Sequence, residues 1–356
     1  MTGSDVVVVG LGPSGALFSW MAASMGYRVV GYDFQRTYRK PCGDAVVVNR
    51  EYEALLRRSN SITGIVRRHI IDIDGEKTID IDHSRPAWYI IDKAGFVDYL
   101  REAALSEGAH VVYKQVKPES VGGHVVVDAR GPYAHSSNRN AWIMAYRALV
   151  KSDAWPEDTA LLRFETTSSG ILWIFPGNRR GVVNVGGGVK GASISEVKRY
   201  IISIVRERLG SNAEVIEESV APIAVYSKVD PVRGRVVKLG EAGGLINSAG
   251  GEGIRMALLS ALRTKEILAE GLEGFNSKYP STIRDIASEA ILSRRLLYAM
   301  ERAKPGLGRE ILTGLPVSFW HGFLRGELSR TLIARSLISR PRTALLVLRA
   351  LLSSQA

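Results

Sequence analysis

The chain is poor in the residues that build covalent or metal-held frameworks. Its 356 residues include a single cysteine, Cys42. A disulfide framework within the chain is thereby excluded, and a thiolate zinc site is disfavoured. The six histidines (His69, His83, His110, His124, His135 and His321) follow no ligand-like spacing, so no metal is expected. No stretch approaches the roughly 18 uncharged apolar residues that a membrane span needs. Met1 to Asp5 carries an acid where a signal peptide carries bases, and glycines interrupt the apolar run that follows. The expected location is cytoplasmic, with peripheral association with an anionic membrane surface. Aromatic residues beyond position 281 are limited to Tyr298, Phe319, Trp320 and Phe323, too few to interleave with bases, so nucleic acid is not an expected partner.

What is present suits a folded protein. Hydrophobic residues make up 46% and charged residues 23%, enough apolar material for a core. At roughly 150 residues per domain the length suggests about two domains. The formal net charge is +11 and is unevenly spread. Residues 281–356 hold twelve Lys and Arg against five Asp and Glu, among leucines and isoleucines at helical spacing. Such a stretch reads either as a solvated helical face or as a basic amphipathic surface that meets anionic lipid. Residues 326–356 concentrate the pattern, with Arg330, Arg335, Arg340, Arg342 and Arg349 against the single Glu327.

The amino terminus reads as a βαβ unit. Asp5 to Val9 is a short apolar run of the kind buried in a parallel sheet. It leads into Gly10-Leu11-Gly12-Pro13-Ser14-Gly15, a helix to about Met25 closed by Gly26, and a second strand ending at Asp33. Further on, Asp74-Gly75 marks a hairpin between Ile70 and Asp82. Asp92 caps a helix to about Glu107. Val111 to Tyr113 and Val125 to Val127 are strands, and Leu161 to Val189 is an antiparallel meander. Ser193 or Ser195 starts a helix to about Leu209. Arg235 to Leu239 is a strand before a glycine-rich loop and a helix from about Gly253 to Gly271. Beyond about Phe275 the pattern is helical, broken at Pro305, Pro316 and Pro341. A βαβ pattern with an inserted antiparallel sheet implies an α/β domain carrying a second layer.

Four segments carry chemistry. In the first, Gly10 allows a tight turn, Gly12 lets the backbone approach a pyrophosphate, and Gly15 lets helix and strand pack closely. The phosphates would meet free N–H groups and the positive end of the helix dipole. Asp33, at the end of the second strand, would accept hydrogen bonds from ribose hydroxyls. The second, Gly186 to Gly191, also fits a GxGxxG spacing, but its strand belongs to the meander, where glycines more often mark curvature or close approach. The third is Arg39-Lys40-Pro41-Cys42-Gly43-Asp44-Ala45. It sets the lone cysteine in a loop behind two cations, where it reads either as a thiolate or reactive thiol or as a small buried hydrophobe. The fourth runs from Gly240 through Glu241 to Gly253 and Ile254, a glycine-rich loop before a helix that can direct N–H groups at a ligand.

These segments, with Leu172-Trp173-Ile174-Phe175-Pro176 and Val183-Asn184-Val185-Gly186, occur in the order found in the geranylgeranyl reductase family. The sequence most resembles archaeal members of the digeranylgeranylglycerophospholipid reductase kind, which saturate the isoprenoid chains of membrane lipids. The resemblance runs over residues 1 to about 275. It implies an α/β protein with a hydroxylase-type, Rossmann-like FAD-binding domain (1–50, 90–140 and 225–275). An antiparallel-sheet substrate domain (51–89 and 141–224) and a helical basic region (276–356) complete the expected organisation.

The resemblance also implies roles. Gly10, Gly12, Ser14 and Gly15 would hold the FAD pyrophosphate and Asp33 the adenosine ribose. Cys42, Gly43 and Ala45 would lie beside the isoalloxazine ring, with Lys93 and Ala129 near the flavin. Glu241 would reach the ribityl-phosphate region, and Gly253 and Ile254 the pyrimidine edge. Ile171, Trp173, Phe175 and Pro176 would line a prenyl tunnel. Departures from the family pattern are Ile171 in place of tyrosine, Glu241 in place of aspartate, Lys93 in place of arginine, and the variant segment Asp128-Ala129-Arg130-Gly131. The implied reaction delivers a hydride from reduced FAD to an alkene carbon, with Cys42 as candidate acid or gating group and ferredoxin or NADPH as electron donor. The competing expectations are a flavin monooxygenase or halogenase of the same fold, and an electron-transfer flavoprotein.

Overall fold

A computed structural model of the chain describes residues 4–303 and 305–353, without the side chains of 139, 305 and 348–353; Arg349 of the basic stretch therefore lies outside the described side chains. The centre of the molecule is the strand Val6–Val9, whose four valines are all buried. An uninterrupted apolar strand belongs where both faces are covered, and this one pairs in parallel on both sides, with Val29–Asp33 and with Val125–Asp128. His110–Tyr113 and Val236–Lys238 extend the sheet in parallel, and Val232–Arg233 adds an antiparallel edge, giving six strands. The helices Pro13–Ser24 and Lys93–Ser106 pack on each other and on this sheet. Phe18, Phe96, Leu100, Met256, Phe275 and Tyr279 share its core.

The second layer is a seven-stranded sheet. Its strands lie in the order Glu214–Ile223, Ile143–Lys151, Val182–Val189, Gly170–Pro176, Thr159–Glu165, Arg68–Ile73 and Lys77–Asp82. All neighbours are antiparallel except Thr159–Glu165 with Arg68–Ile73. Ala45–Val47, Trp88–Ile91 and Ile62–Val66 form a small antiparallel sheet.

Several local expectations hold. Asp92 caps Lys93–Ser106 by accepting from the Gly95 N–H, and Ser193 with Glu196 makes a capping box for Ile194–Leu209. Arg68–Ile73 and Lys77–Asp82 form the hairpin around Asp74-Gly75. The single helix expected from Gly253 to Gly271 is instead two, Ile254–Leu262 and Lys265–Glu270, because the chain turns at Arg263 and Thr264.

The basic carboxyl-terminal stretch folds into the helices Arg284–Arg302, Pro305–Gly314, Val317–Leu324, Arg330–Ile338 and Pro341–Ser353. Their apolar residues face two ways. Leu328 is buried, and Leu332 and Ile333 pack on the core formed by the inner face of the seven-stranded sheet. Ile338 and Leu345 are 79% and 61% exposed. The stretch is therefore neither wholly a solvated face nor wholly an outward apolar one. No helix among the described residues is long and apolar enough to cross a membrane.

Candidate functional site

The parallel strands end at one cleft. Val9, Asp33, Ala129 and Glu241 stand at or just past the carboxyl ends of four of them, where open α/β sheets bind ligands. The cleft holds about 960 Å³, at the upper end of small-molecule sites, and it runs from these strand ends to the face of the seven-stranded sheet.

The glycine fingerprint shapes its first wall. Gly10 adopts a left-handed φ of 95°, and a side chain there would lie 2.5 Å from the Ala129 carbonyl oxygen. A Cβ on Gly15 would come 1.9 Å from the Gly10 carbonyl oxygen, so Gly15 serves helix–strand packing and is not itself on the cleft wall. Gly12, Pro13 and Ser14 are on that wall, and no side chain caps the helix they open. Gly253, Ile254 and Ala257 also line the cleft, and their helix likewise has no side-chain cap. Two helix amino termini thus reach one cavity with first-turn N–H groups uncapped by side chains, an arrangement suited to a ligand with a phosphate group and a second polar acceptor. These residues fit a dinucleotide.

Asp33 is more heavily engaged than its spacing suggested. Its carboxylate accepts from Leu11 N–H at 2.7 Å, from Gln35 N–H at 2.8 Å and from the Arg101 guanidinium at 3.0 Å. Both members of that ion pair are buried. Glu241 is similarly tied: it accepts from Ala224 N–H and from Lys40 Nζ, each at 2.6 Å. Both carboxylates nevertheless border the cleft.

The cysteine loop forms the middle of the cavity, with Cys42, Gly43, Asp44 and Ala45 on its wall. Lys93 is buried beside it. Its Nζ donates to the Lys40 carbonyl and to Cys42 Sγ at 2.7 Å and lies 3.4 Å from Asp44 Oδ1. Burial works against this ammonium, but the Asp44 carboxylate and the hydrogen bond to Cys42 Sγ hold its pKa above the ordinary lysine value. Cys42 departs from the thiolate reading. Burial pushes its thiol up, more than the neighbouring Lys93 pulls it down. The sulfur keeps its proton and offers it to Asp44 Oδ1 at 3.3 Å. Asp44 itself holds a left-handed φ of 56°, a conformation that costs energy for a residue with a Cβ.

The far wall is apolar and comes from the seven-stranded sheet. Ile171, Trp173 and Phe175 alternate along Gly170–Pro176, and all three line the cavity. Trp173 and Phe175 stack at 6.2 Å, and Trp88 meets Phe175 edge-on at 5.4 Å. Pro176, next in the strand, is buried against Val183 and off the cleft wall. Gly186 explains the second glycine run: a Cβ there would fall 2.2 Å from Trp173 Cζ2, so the run accommodates neighbouring side chains within a strand. From the carboxyl-terminal helices, Phe323 and Leu324 close the cavity. Beyond them lies a smaller apolar chamber of about 150 Å³, bordered by Phe164, Leu296, Leu312, Phe319, Trp320 and Leu337.

Sequence reading passes over Arg101 and names Lys40 and Asn184 only as members of their segments, without a role at the site. Asn184 is buried and joins the two walls: its Nδ2 donates to the Cys42 carbonyl at 3.0 Å and to Asp44 Oδ2 at 3.2 Å, and its Oδ1 accepts from Trp173 Nε1 at 3.0 Å. Its sequence signals are the Val183-Asn184-Val185-Gly186 segment and its place as the one amide in an otherwise apolar strand. Among the described residues no group of three or more His, Cys, Asp or Glu could hold a metal ion.

The paired layers and the strand-end cleft define the class: an α/β fold with a parallel, Rossmann-like sheet and an attached antiparallel sheet, the fold shared by the flavin-dependent enzymes below. No protein-family model matches the chain. It is 23% identical over 308 residues to the digeranylgeranylglycerophospholipid reductase of Methanocaldococcus jannaschii, covering 76% of this chain and 78% of that protein. It is 23% identical over 336 residues to digeranylgeranylglycerophospholipid reductase 1 of Methanosphaera stadtmanae, covering 78% and 77%. Among solved structures, a geranylgeranyl bacteriochlorophyll reductase-like protein from Thermoplasma acidophilum superposes with a TM-score of 0.77, at 18% identity, over 98% of this chain and 99% of that one. The flavin-dependent brominase Bmp2 superposes with a TM-score of 0.66, at 16% identity, over 91% and 93%. A variant of the halogenase PltM in complex with FAD gives 0.63, at 15% identity, over 98% and 86%.

Proposed function

We propose that the protein is an FAD-dependent oxidoreductase that saturates double bonds of geranylgeranyl-type chains, as carried by archaeal-type membrane lipids. The observation that carries this reading is the continuity of one cleft. Two helix amino termini without side-chain caps open onto the same space as the Ile171, Trp173 and Phe175 wall. In this reading Gly10, Gly12 and Ser14 hold the pyrophosphate, with Gly15 letting the helix pack closely against Gly10. Asp33 serves the ribose through its remaining lone pair, and Gly253 and Ile254 meet the ring. Reduced FAD supplies the hydride. Cys42 holds a proton on sulfur between Lys93 and Asp44 and delivers it to the second alkene carbon. Trp173 and Phe175 cover the chain and exclude water, because an isoprenoid offers only apolar surface for binding. Ferredoxin or NADPH is the proposed donor, and an anionic membrane surface the place where the lipid is met.

The halogenase and brominase neighbours share the fold, so the reaction has to be separated by experiment. Dithionite-reduced protein is incubated with geranylgeranyl lipids, and the products are weighed by mass spectrometry. The expected result is a gain of two hydrogens per double bond. Unchanged lipid with oxygen consumed would favour a monooxygenase or halogenase. Donor oxidation with neither change would favour electron transfer.

A further inference from the structure

Three histidines that no part of the site uses meet below the helix that closes the cavity. His69 lies in the strand Arg68–Ile73, His83 just past Lys77–Asp82, and His321 in the closing helix Val317–Leu324. Their rings run edge to face, His69 to His83 at 5.0 Å and His83 to His321 at 4.9 Å. His69 also meets Trp88 edge-on at 4.5 Å, and Trp88 Nε1 donates to the Leu324 carbonyl at 2.6 Å. The closing helix is therefore seated on this cluster, and its own Phe323 and Leu324 border the cavity. His69 and His83 are buried, and neither nitrogen of either ring has a hydrogen-bond partner on the protein. A buried polar ring left unpaired carries a desolvation cost that plain packing would avoid.

We propose that His69 and His83, packed against His321 of the closing helix, form a protonation latch: with both rings neutral the helix stays seated, and protonating them releases it and opens the cavity to an apolar ligand. The charges around the cluster favour this direction. His69 faces His83 and His321, and a proton on either repels one on His69. His83 faces His321 and Arg325 at the end of the closing helix, which oppose its charge, and Asp82 on its own side, which supports it. Burial is the largest effect on both, and it holds His69 down at about 3 and His83 at about 4. Both values lie below the ordinary 6.5, so the seated state is fully favoured above pH 6.5 and loses ground as pH falls towards 4. His69 and His83 each weaken seating about tenfold per pH unit across that window.

The latch bears on the proposed function only through what enters the cavity, and its primary test needs neither flavin nor substrate. Hydrogen exchange of the full chain is compared at pH 7.5 and pH 5, as protection factors corrected for intrinsic exchange. Protection of Val317–Leu324 is expected to fall about thirtyfold for each histidine freed by opening, while Val6–Val9 stays protected. His83→Phe keeps a ring in place without a titrating nitrogen and should flatten the dependence; His69→Phe provides the same test if that variant folds poorly. A polyene fatty acid used as an apolar fluorescent probe should enter faster at pH 5 in the natural chain than in either variant. Equal protection at both pH values would overturn the latch. So would an unchanged pH dependence in both ring-preserving variants. A working latch with no lipid reduction would leave it standing and remove only the reductase reading.

Discussion

Lys93 Nζ and Cys42 Sγ are 2.7 Å apart inside the cleft, and this pairing sets how the only cysteine behaves. The ammonium can stabilise a thiolate, but burial keeps the sulfur protonated under neutral conditions. Alkylation of Cys42 is therefore expected to be slow at pH 7 and to accelerate only above the ordinary thiol range. Lys93→Met removes the one cation hydrogen-bonded to the sulfur and should move that acceleration to still higher pH. Mass-spectrometric alkylation rates from pH 6 to 11 test this. Fast alkylation at pH 6 would show a thiolate and disqualify Cys42 as a proton donor.

Asp33→Ala is expected to harm folding as well as cofactor binding. The carboxylate neutralises Arg101, which is 5% exposed, and removing one member of a buried ion pair costs about 3–5 kcal/mol. A ribose contact alone would change flavin retention and leave the melting temperature of the flavin-free protein untouched. Thermal unfolding of the flavin-free variant beside the natural chain separates the two roles. An unchanged melting temperature would mean that Arg101 finds another partner.

Gly186→Ala should act on the apolar wall from behind. The added methyl would sit 2.2 Å from Trp173 Cζ2 and force the indole towards the cavity. Overpacking of this kind costs about 1–3 kcal/mol. The variant should also bind a C20 isoprenoid more weakly, read as a raised Michaelis constant with little change in the flavin spectrum. Trp173→Ala removes the ring itself, at about 3–5 kcal/mol, and frees Asn184 Oδ1. If both variants bind the chain as tightly as the natural protein, the wall is not where the chain lies.

The parts of this site that are local in sequence were legible before the fold was known. Gly10 to Gly15, Asp33 and the cap at Asp92 announce themselves by spacing and residue type. The alternation Ile171, Trp173, Phe175 reads as one face of a strand. The tertiary clamps were not legible. Asn184 reaches the Cys42 carbonyl across 142 positions, and Lys40 reaches Glu241 across 201. The thiol's surroundings are tertiary for the same reason: two cations next to Cys42 in sequence point to a thiolate or reactive thiol, whereas burial by remote elements pushes the thiol's pKa up. The histidines show no spacing because three separate elements bring them together.

The carboxyl-terminal corner offers the clearest test of membrane contact. Removing everything after Gly326 would strip Leu328, Leu332 and Ile333 from the core, so an insoluble product would say nothing about lipid. Point variants avoid this. Ala334, Arg335, Ile338, Ser339, Arg340, Pro341, Arg342 and Leu345 are all exposed, and there is no acid among them. Each arginine near an anionic leaflet contributes about 1 kcal/mol, and the attraction fades within a Debye length. The two exposed aliphatic side chains, Ile338 and Leu345, add apolar contact with the leaflet. The natural protein is expected to sediment with anionic vesicles at low salt and to be released as salt rises. Arg335→Gln with Arg340→Gln and Arg342→Gln should abolish sedimentation, and Ile338→Ser with Leu345→Ser should weaken it. Because these side chains are exposed, either set should change stability by no more than about 0.5 kcal/mol per substitution. A natural chain that ignores anionic vesicles at low salt would assign the arginines to another acidic partner, of which a ferredoxin-like electron donor fits the charge best.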